Sequence, residues 1–319
     1  MKPQNLVVII PSYNEKSSII SVIAEIPKKI QGIKSVKTVV IDDGSTDGTR
    51  EILEKRKDIY YLRHNRNIGL GRSFDDGLKK AISLQADIIV CLDADGQFDS
   101  KEITKLILPI TKEQADVVIG SRFIKKNRYK TTTLKRIGNK LLAKIISILI
   151  KKRLYDVTCG FRAYSREVAL NLNIYDKFSY TLESIMEITQ RGFAIKEIPV
   201  KVRPRKWGKS KITRSIIYYL VKSCAIIIRY LRDQRSFHFF VLPGIISFTL
   251  ALIGLTFLTI RFIRLHILSP YRSLLAVSLA FLFLAVFLFG IGLVFDYMSK
   301  IKKNEDDILY YLKKNDKEK

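Results

Sequence analysis

Three groups of acidic and turn-forming residues directly follow apolar segments in the first hundred residues of the chain. They are PSYNE at residues 11–15, DDGSTD at residues 42–47 and DADGQ at residues 93–97. Asp, Asn and Gly are common in turns, so one such group would carry little weight. Three groups at successive strand ends carry more, because ligands of open α/β sheets bind beyond the carboxyl ends of the strands. The spacing therefore predicts one site at that edge.

The third group has the residue types that hold a divalent cation. Asp93 and Asp95 are two residues apart after an apolar strand, so both carboxylates can approach one ion. Mg²⁺ and Mn²⁺ prefer oxygen ligands and are commonly shared with the phosphates of a substrate. An ion held there would neutralise the charge that develops on a departing nucleoside diphosphate. Asp43, at the end of another strand, suits hydrogen bonds from a nucleobase or ribose.

The elements that must position these residues alternate along the first 120 residues. Short apolar strands are predicted at residues 6–10, 36–41, 59–63, 86–92 and 116–120, and helices at 46–57, 70–84 and 101–111. This alternation predicts βαβ units, and hence an α/β, Rossmann-like, mostly parallel sheet with helices on both faces. No G-x-x-x-x-G-K or G-x-G-x-x-G loop follows the first strand, which argues against P-loop and dinucleotide-binding enzymes.

Composition excludes further classes of protein. The chain has 56 Lys and Arg against 30 Asp and Glu, a net charge of +26, yet 47% of its residues are hydrophobic. A disordered basic protein would have few apolar residues. A nucleic-acid-binding protein would need a basic stripe with interleaved aromatic residues, and here the basic residues are dispersed. The three cysteines are far apart, so neither a disulfide framework nor a zinc site is indicated.

The apolar excess lies near the C-terminus. Residues 236–260 and 273–295 contain no formally charged residue, and each segment exceeds the roughly 20 residues that cross a bilayer core. The link between them is short, which predicts a transmembrane hairpin. Residues 212–231 have the pattern of an amphipathic helix in the headgroup region, although an ordinary helix packed on the sheet would also fit.

These features predict four parts. They are a catalytic domain at residues 1–211, a juxtamembrane amphipathic helix at 212–235, the hairpin at 236–298 and a charged tail at 299–319. The apolar run at residues 6–10 is too short for a signal peptide. We therefore expect an integral membrane protein with two spans whose catalytic domain and both termini are cytoplasmic.

Six motifs in order resemble those of family-2 inverting glycosyltransferases of the GT-A fold, specifically the polyprenyl-phosphate glycosyltransferases of the dolichol-phosphate mannose synthase type. They are PSYNE (11–15), DDGSTDGT (42–49), DADGQF (93–98), GSRF (120–123), TCGFRAY (158–164) and RKWGKSK (205–211). The resemblance covers residues 6–211. It implies metal-dependent transfer of one sugar from a nucleotide sugar, GDP-mannose or a UDP-sugar, to a polyprenyl phosphate such as dolichyl or undecaprenyl phosphate.

The resemblance also implies roles for single residues. Asp95, Arg122 and Arg136 would be catalytic, and the two arginines would bind the acceptor phosphate, which suits the bidentate guanidinium group. Asp93, Asp95 and Gln97 would hold Mg²⁺ or Mn²⁺. Residues matching the family's nucleotide-sugar site are Pro11, Tyr13, Glu15, Ile41, Asp43, Asp93, Ala94, Asp95 and, in a loop that closes over the donor, Arg205 and Lys211.

The acceptor is indicated by what the sequence lacks. A transferase that attacks with a sugar hydroxyl needs a general base, and family members of that kind usually carry an acidic pair before their amphipathic helices. Here the corresponding residues 179–183 contain only Glu183, and no Gln-x-x-Arg-Trp occurs. A phosphate is already anionic and needs no base, which favours a lipid phosphate in contact with membrane lipids.

Three alternatives remain at this point. The enzyme could act on a diacylglycerol or on a membrane-bound glycan, or the chain could be a catalytically silent membrane scaffold. Intact Asp93, Asp95 and Gln97 argue against the scaffold, which has no use for metal ligands. We expect no nucleic-acid partner.

Overall fold

A computed structural model describes residues 3–124, 132–204, 216–234, 236–266 and 269–315. Arg205 and Lys211 therefore lie outside the described residues. The chain divides into two units, of which the second comprises Ile227–Ile308. The described residues before Ile227 and those from Leu309 onward belong to the first unit.

A seven-stranded sheet forms the centre of the first unit. Its order is β3-β2-β1-β4-β6-β5-β7, and β6 runs antiparallel to its neighbours β4 and β5 while the other pairs are parallel. The prediction of a mostly parallel α/β sheet is confirmed. The strands are β1 Gln4–Ser12, β2 Ile33–Asp42, β3 Tyr60–Arg63, β4 Ile88–Cys91, β5 Val117–Ser121, β6 Arg162–Ser165 and β7 Ile195–Pro199.

The central strands contain continuous apolar runs because helices cover both faces of a parallel sheet. Residues 6–10 of β1 and all of β4 are buried. The ends of β1 and β2 are aligned, since Ser12 pairs with Asp42, while Cys91 at the end of β4 pairs with Ile9, three residues before the end of β1. The loops that follow β1, β2 and β4 therefore begin at one edge of the sheet, as the sequence predicts.

Among the described residues before Ile227, seven helices pack around this sheet or follow it in the chain, and an eighth begins there and runs on into the second unit. A single 3₁₀ turn, Ser100–Glu102, precedes α4. The helices are α1 Ile19–Ala24, α2 Thr49–Glu54, α3 Leu70–Ser83, α4 Ile103–Thr111, α5 Thr133–Leu149, α6 Arg166–Asn171, α7 Tyr180–Gln190 and α8 Ile216–Gln234.

Helix α5 has two apolar sides. One side packs inward through Leu142, Ala143 and Ile146, which are at most 5% exposed. A second row at helical spacing is solvent-exposed, with exposed fractions of 37–67%. This row is Leu134, Ile137, Leu141, Ile145 and Ile148.

The second unit contains α9 Ser236–Leu265 and most of α10 Arg272–Asn315. By length and composition both helices are able to cross a membrane. Small residues line their contact: Ala251, Ser278 and Ala285 are buried, and the Ser247 hydroxyl donates to the Phe281 carbonyl at 2.8 Å. Small residues at a helix contact are typical of packing within membranes.

The segment predicted as a charged tail continues α10 as far as Asn315. Its last turns belong to the first unit. There the Tyr310 hydroxyl donates to Glu167 at 2.9 Å, and Lys313 Nζ donates to the Leu172 carbonyl at 2.7 Å.

Candidate active site at the carboxyl edge of the sheet

The loops after β1 and β2 are joined by side-chain to backbone hydrogen bonds. Asn14, with φ of 52°, donates its amide to Ser45 Oγ at 2.9 Å and accepts from the Thr46 amide at 2.7 Å. The Glu15 amide donates to Thr49 Oγ1 at 3.0 Å. The loops PSYNE (residues 11–15) and DDGSTD (residues 42–47) are therefore joined, and together they form one wall of the candidate site.

Asp43 is 4% exposed at the end of β2. Its carboxylate accepts from the amides of Ile68 at 2.9 Å and Gly69 at 3.0 Å, and it lies 2.9 Å from His64 Nδ1. Its own amide donates to the Ser12 carbonyl at 2.8 Å. The residue predicted to contact the nucleotide is thus held rigidly and also organises the segment 64–69.

The adjacent Asp42 is fully buried and has a structural role. It accepts from the Ser45 amide at 2.9 Å and from the Tyr61 hydroxyl at 3.0 Å. Burial and the nearby Asp42 carboxylate raise the pKa of Tyr61 above its ordinary value, so the phenol remains a hydrogen-bond donor. Of the two consecutive aspartates, Asp42 stabilises the loop that carries Asp43.

The loop after β4 carries the predicted metal ligands. Asp93, Asp95 and Gln97 are each partly exposed, while Ala94 is 4% exposed. The Gln97 amide donates to Asp95 Oδ1 at 3.0 Å across Gly96, whose φ is +70°. The Gln97 carbonyl accepts from the Arg203 amide at 2.7 Å, which ties this loop to the segment just before residue 205.

Gly160 lies directly against Asp93. A Cβ atom at residue 160 would be 2.7 Å from Asp93 Oδ1, so only glycine leaves the carboxylate in place. The Tyr180 hydroxyl holds the Gly160 carbonyl at 2.9 Å, and the Tyr180 ring stacks on Phe74 at 3.8 Å. The TCGFRAY motif therefore packs directly against the loop that carries Asp93.

Arg162, from the same motif, is fully buried. Its guanidinium donates to the carbonyls of Val157, Cys159 and Thr181 at 2.7–2.9 Å. A buried cation is costly unless its donors are satisfied. Because these carbonyls belong to the segment that precedes Gly160 and to α7, Arg162 holds that segment in shape.

The buried cysteines are not nucleophiles. Burial raises the pKa of the Cys159 thiol to about 12 and shifts that of Cys91 in the same direction. A thiol reacts as its thiolate, so both stay inert near neutral pH.

The residues after β4 fit a divalent cation shared with a substrate. Within the described ranges no three His, Cys, Asp or Glu side chains gather as a complete metal site. Two carboxylates and one amide on a single loop match an ion such as Mg²⁺ or Mn²⁺, which is usually held by one or two carboxylates together with substrate phosphates. The metal role of Asp93, Asp95 and Gln97 stays a prediction.

Arg122 has a buried acidic partner that the sequence did not reveal. Its Nε and Nη2 donate to the two oxygens of Asp156 at 2.7 and 2.8 Å, and Nη2 also donates to Thr158 Oγ1 at 2.6 Å. Asp156 is fully buried. A phosphate bound by Arg122 would share the guanidinium with this carboxylate.

Arg136 is exposed in the first turn of α5. One turn later Asn139 accepts from the Thr158 hydroxyl at 2.8 Å, the same hydroxyl that accepts from Arg122. The structure thus joins β5, the segment before β6 and α5 through one polar network. The predicted binding of an acceptor phosphate by Arg122 and Arg136 remains a prediction.

Glu183 has a structural role. Its two carboxylate oxygens accept from the amides of Tyr175 at 3.1 Å and Asp176 at 3.0 Å. The Lys177 carbonyl in turn accepts from the Gly71 amide at 3.1 Å. These bonds fit the expectation that Glu183 is not a general base.

Other predicted residues lie along the same edge. Pro11 and Ile41 are buried at the ends of β1 and β2, whereas Tyr13 and Glu15 are partly exposed in the joined wall. Sequence reasoning missed His64, Asp156 and Gly160. The last two lie in or beside TCGFRAY, so the motif pointed to the segment, whereas His64 had no signal in spacing or composition.

Residues 7–172 match the protein family described as Glycosyl transferase family 2. The chain belongs to this family. It is a glycosyltransferase, and the resemblance drawn from its motifs is confirmed.

Two curated relatives extend this comparison. UDP-N-acetylglucosamine–dolichyl-phosphate N-acetylglucosaminyltransferase of Methanococcus voltae is 27% identical over 241 residues, covering 69% of this chain and 94% of the relative. Polyprenol monophosphomannose synthase of Mycolicibacterium smegmatis is 29% identical over 230 residues, covering 67% of this chain and 83% of the relative. Both are named for transfer to a polyprenol-type acceptor, and they differ in the sugar.

A solved structure shares the fold. Glucosyl-3-phosphoglycerate synthase of Mycobacterium tuberculosis, in complex with Mn²⁺, UDP and glucosyl-3-phosphoglycerate, superposes with a TM-score of 0.51 at 20% identity. The match covers 70% of this chain and 80% of that protein. The GT-A architecture predicted from the motifs is therefore confirmed.

Proposed function

We propose that this glycosyltransferase moves one sugar from a nucleotide diphosphate sugar to the phosphate of a membrane polyprenol, with inversion at the anomeric carbon. The observation that supports the proposal concerns the described residues. Asp43, Asp93 and Asp95 lie at strand ends of one edge, whereas the carboxylate of Glu183 is bonded to backbone amides.

On the donor side, the wall made by residues 11–15 and 42–47 would receive the nucleotide. Asp43 would accept a hydrogen bond from the base or ribose, and Tyr13 and Glu15 lie in the same wall. Asp93 and Asp95 would hold a divalent cation with the diphosphate, assisted by Gln97. That cation would stabilise the negative charge of the departing diphosphate.

On the acceptor side, Arg122 and the exposed Arg136 would bind and orient the phosphate. A phosphate oxygen would attack the anomeric carbon and form the new carbon–oxygen bond, while the bond to the diphosphate breaks and its electron pair leaves with the nucleoside diphosphate. No proton has to be removed from the attacking oxygen, because the acceptor phosphate is already ionised. Glu183, which was not expected to act as a base, accepts hydrogen bonds from two backbone amides, and this is consistent with such chemistry.

The names of the two relatives support the acceptor class. Dolichyl phosphate and polyprenol appear in them, whereas one name specifies N-acetylglucosamine and the other mannose. We therefore propose a polyprenyl phosphate as the acceptor and either GDP-mannose or a UDP-sugar as the donor.

Membrane attachment would bring the soluble donor site to the lipid head. Helices α9 and α10 are long and apolar enough to cross a bilayer, and α8 mixes exposed Tyr218 and Val221 with Lys222.

Helix α5 also has features suited to a membrane surface. Its exposed apolar row starts beside Arg136, and Lys135, Lys140 and Lys144 are exposed on the same helix. Apolar residues flanked by lysines suit the surface of an anionic leaflet. We propose that the catalytic domain faces the cytoplasm.

The test is product analysis with the full-length protein in detergent micelles. Radiolabelled GDP-mannose, UDP-glucose and UDP-N-acetylglucosamine would each be offered with a polyprenyl phosphate, with the unphosphorylated polyprenol and with diacylglycerol, in Mg²⁺ or Mn²⁺. We expect a glycosyl phosphopolyprenol from one donor and nothing from the other two acceptors. A product from diacylglycerol but not from polyprenyl phosphate would refute the proposed acceptor.

A further inference from the structure

His64 lies between two carboxylates. Its Nδ1 is 2.9 Å from Asp43 Oδ1, and its Nε2 is 3.1 Å from Asp76 Oδ2. An ionised carboxylate only accepts hydrogen bonds, whereas a neutral imidazole has one donor and one acceptor nitrogen. Both contacts are therefore satisfied together only when the ring carries its second proton.

The ring is largely but not completely buried. The side chain of His64 is 13% exposed and that of Asp43 is 5% exposed, while Asp76 on α3 is 38% exposed. The His64 amide also donates to the Asp42 carbonyl at 2.9 Å, which fixes its backbone against β2. A charged ring in this position has little freedom to adopt another orientation.

His64 contacts the wall formed by residues 11–15 and 42–47 at the carboxylate of Asp43. Three groups of the described chain approach it: the amides of Ile68 and Gly69 and the His64 ring. A carboxylate has about four acceptor positions, so this arrangement sets the direction left for a ligand. Loss of the His64 bond would let the carboxylate rotate away from that direction.

Other charged groups also face the ring. Arg63 of β3 and Lys79 and Lys80 of α3 line the same surface depression as His64 and Asp76. Lys79 Nζ lies 3.9 Å from Asp76 Oδ1 and 2.7 Å from Asp75 Oδ2. Asp76 therefore lies between the His64 ring and Lys79.

We propose that His64 is a positioning residue for the donor: its doubly protonated ring links Asp76 to Asp43 and holds the Asp43 carboxylate towards the nucleoside of the nucleotide sugar. This inference rests on the proposed function, because it takes Asp43 as a nucleotide contact. As pH rises and the ring loses its second proton, one nitrogen lone pair faces a carboxylate and the alignment is lost. Donor affinity therefore falls with rising pH.

The test measures donor affinity by calorimetry on the full-length protein between about pH 6 and pH 8, the range in which histidine titrates. Nucleotide sugars are used as probes, since their phosphates do not titrate there as the terminal phosphate of a free nucleoside diphosphate does. We expect the wild-type affinity to fall about tenfold across this range, the size of one charge-assisted hydrogen bond. His64→Gln should bind about tenfold more weakly at pH 6 and show a flat profile.

Control variants separate the possible causes. His266→Gln, which changes a histidine of the other unit, should keep the wild-type profile. Asp76→Asn keeps the Asp43 contact but removes one of the two carboxylates, so the fall in affinity should move to lower pH. It also serves as the test if His64→Gln does not fold.

The outcomes distinguish this inference from the proposed function. If His64→Gln or Asp76→Asn matched the wild type in affinity and profile while Asp43→Ala weakened binding, the role of His64 would be refuted and that of Asp43 retained. If Asp43→Ala also left donor affinity unchanged, the nucleotide role of Asp43 in the proposed function would be wrong as well.

Discussion

The carboxylate of Asp93 lies so close to the α-carbon of Gly160 that a methyl group there would come within 2.7 Å of Oδ1. Gly160 belongs to the segment just before β6, whereas Asp93 follows β4. The contact therefore depends on the insertion of the antiparallel β6 beside β4. It links the two motifs that the proposed metal and diphosphate site requires.

Gly160→Ala should weaken binding of the metal and the nucleotide sugar. The added methyl group would push Asp93 away, and displacement of one of two carboxylate ligands should lower catalytic efficiency by at least about a hundredfold. Mn²⁺ binding can be followed by electron paramagnetic resonance. Gly138→Ala on α5 is the matched control, because a Cβ there meets no atom within 4 Å. Equal Mn²⁺ affinity in both variants would contradict this prediction.

Asp95→Ala should abolish transfer and leave the fold intact, because the residue is partly exposed in a loop. A chelator should also remove activity, and Mg²⁺ or Mn²⁺ should restore it. Gln97→Ala should have a smaller effect, since a neutral amide oxygen holds a divalent ion less strongly than a carboxylate. Asp58→Ala, an exposed aspartate paired with Arg56, is the control. Full activity in chelator would be incompatible with a metal role.

Arg136→Ala should weaken use of the acceptor and leave donor affinity unchanged. A hydrogen bond to a charged group contributes about 1.5–3 kcal/mol, so we expect a loss of about ten- to a hundredfold in kcat/KM for polyprenyl phosphate. Arg136→Lys should recover only part of this loss, because lysine lacks the bidentate fork. Arg50→Ala, at an exposed surface pair, is the control. Donor affinity that fell together with activity would place Arg136 on the nucleotide side.

Arg122 needs a different variant, because Arg122→Ala would leave buried Asp156 without its cationic partner. Such an unpaired buried charge is strongly destabilising. The double variant Arg122→Ala with Asp156→Ala removes both charges, and it should remain folded while losing acceptor use at least tenfold. Thermal unfolding and steady-state kinetics would be measured side by side. Normal acceptor kinetics in a folded double variant would exclude Arg122 from the acceptor site.

Replacing the exposed apolar row of α5 should affect only long lipid acceptors. Ile137→Gln with Leu141→Gln removes two side chains that are 57% and 55% exposed, so the fold should lose little stability. Each apolar side chain that enters a membrane contributes about 1.5–3 kcal/mol, and KM for a long polyprenyl phosphate in liposomes should rise about tenfold or more. A short water-soluble prenyl phosphate and Ile20→Gln on α1 serve as controls. An unchanged KM for the long acceptor would show that α5 does not meet the lipid.

The sequence was sufficient wherever the deciding interactions are local or follow from strand order. Alternation of apolar and helical segments predicted the parallel strands, and the acidic groups at 11–15, 42–47 and 93–97 lie at the predicted edge. This succeeds because residues at the carboxyl ends of parallel neighbours necessarily meet at one edge. The two uncharged segments likewise appear as α9 and α10, because length and apolarity alone determine whether a helix can span a bilayer.

Only the tertiary structure decided which side chains pair. Asp156 meets Arg122 across 34 residues of sequence, and His64 meets Asp43 across 21. Asn14 and Ser45 join two loops that the sequence presents separately. The antiparallel strand β6 was not predicted. It has only four residues, and it pairs with β4, which lies about 70 residues before it in the sequence. Periodicity records which face of an element is apolar, but the partner of a polar side chain is set by how distant elements pack, and that information lies in no single segment.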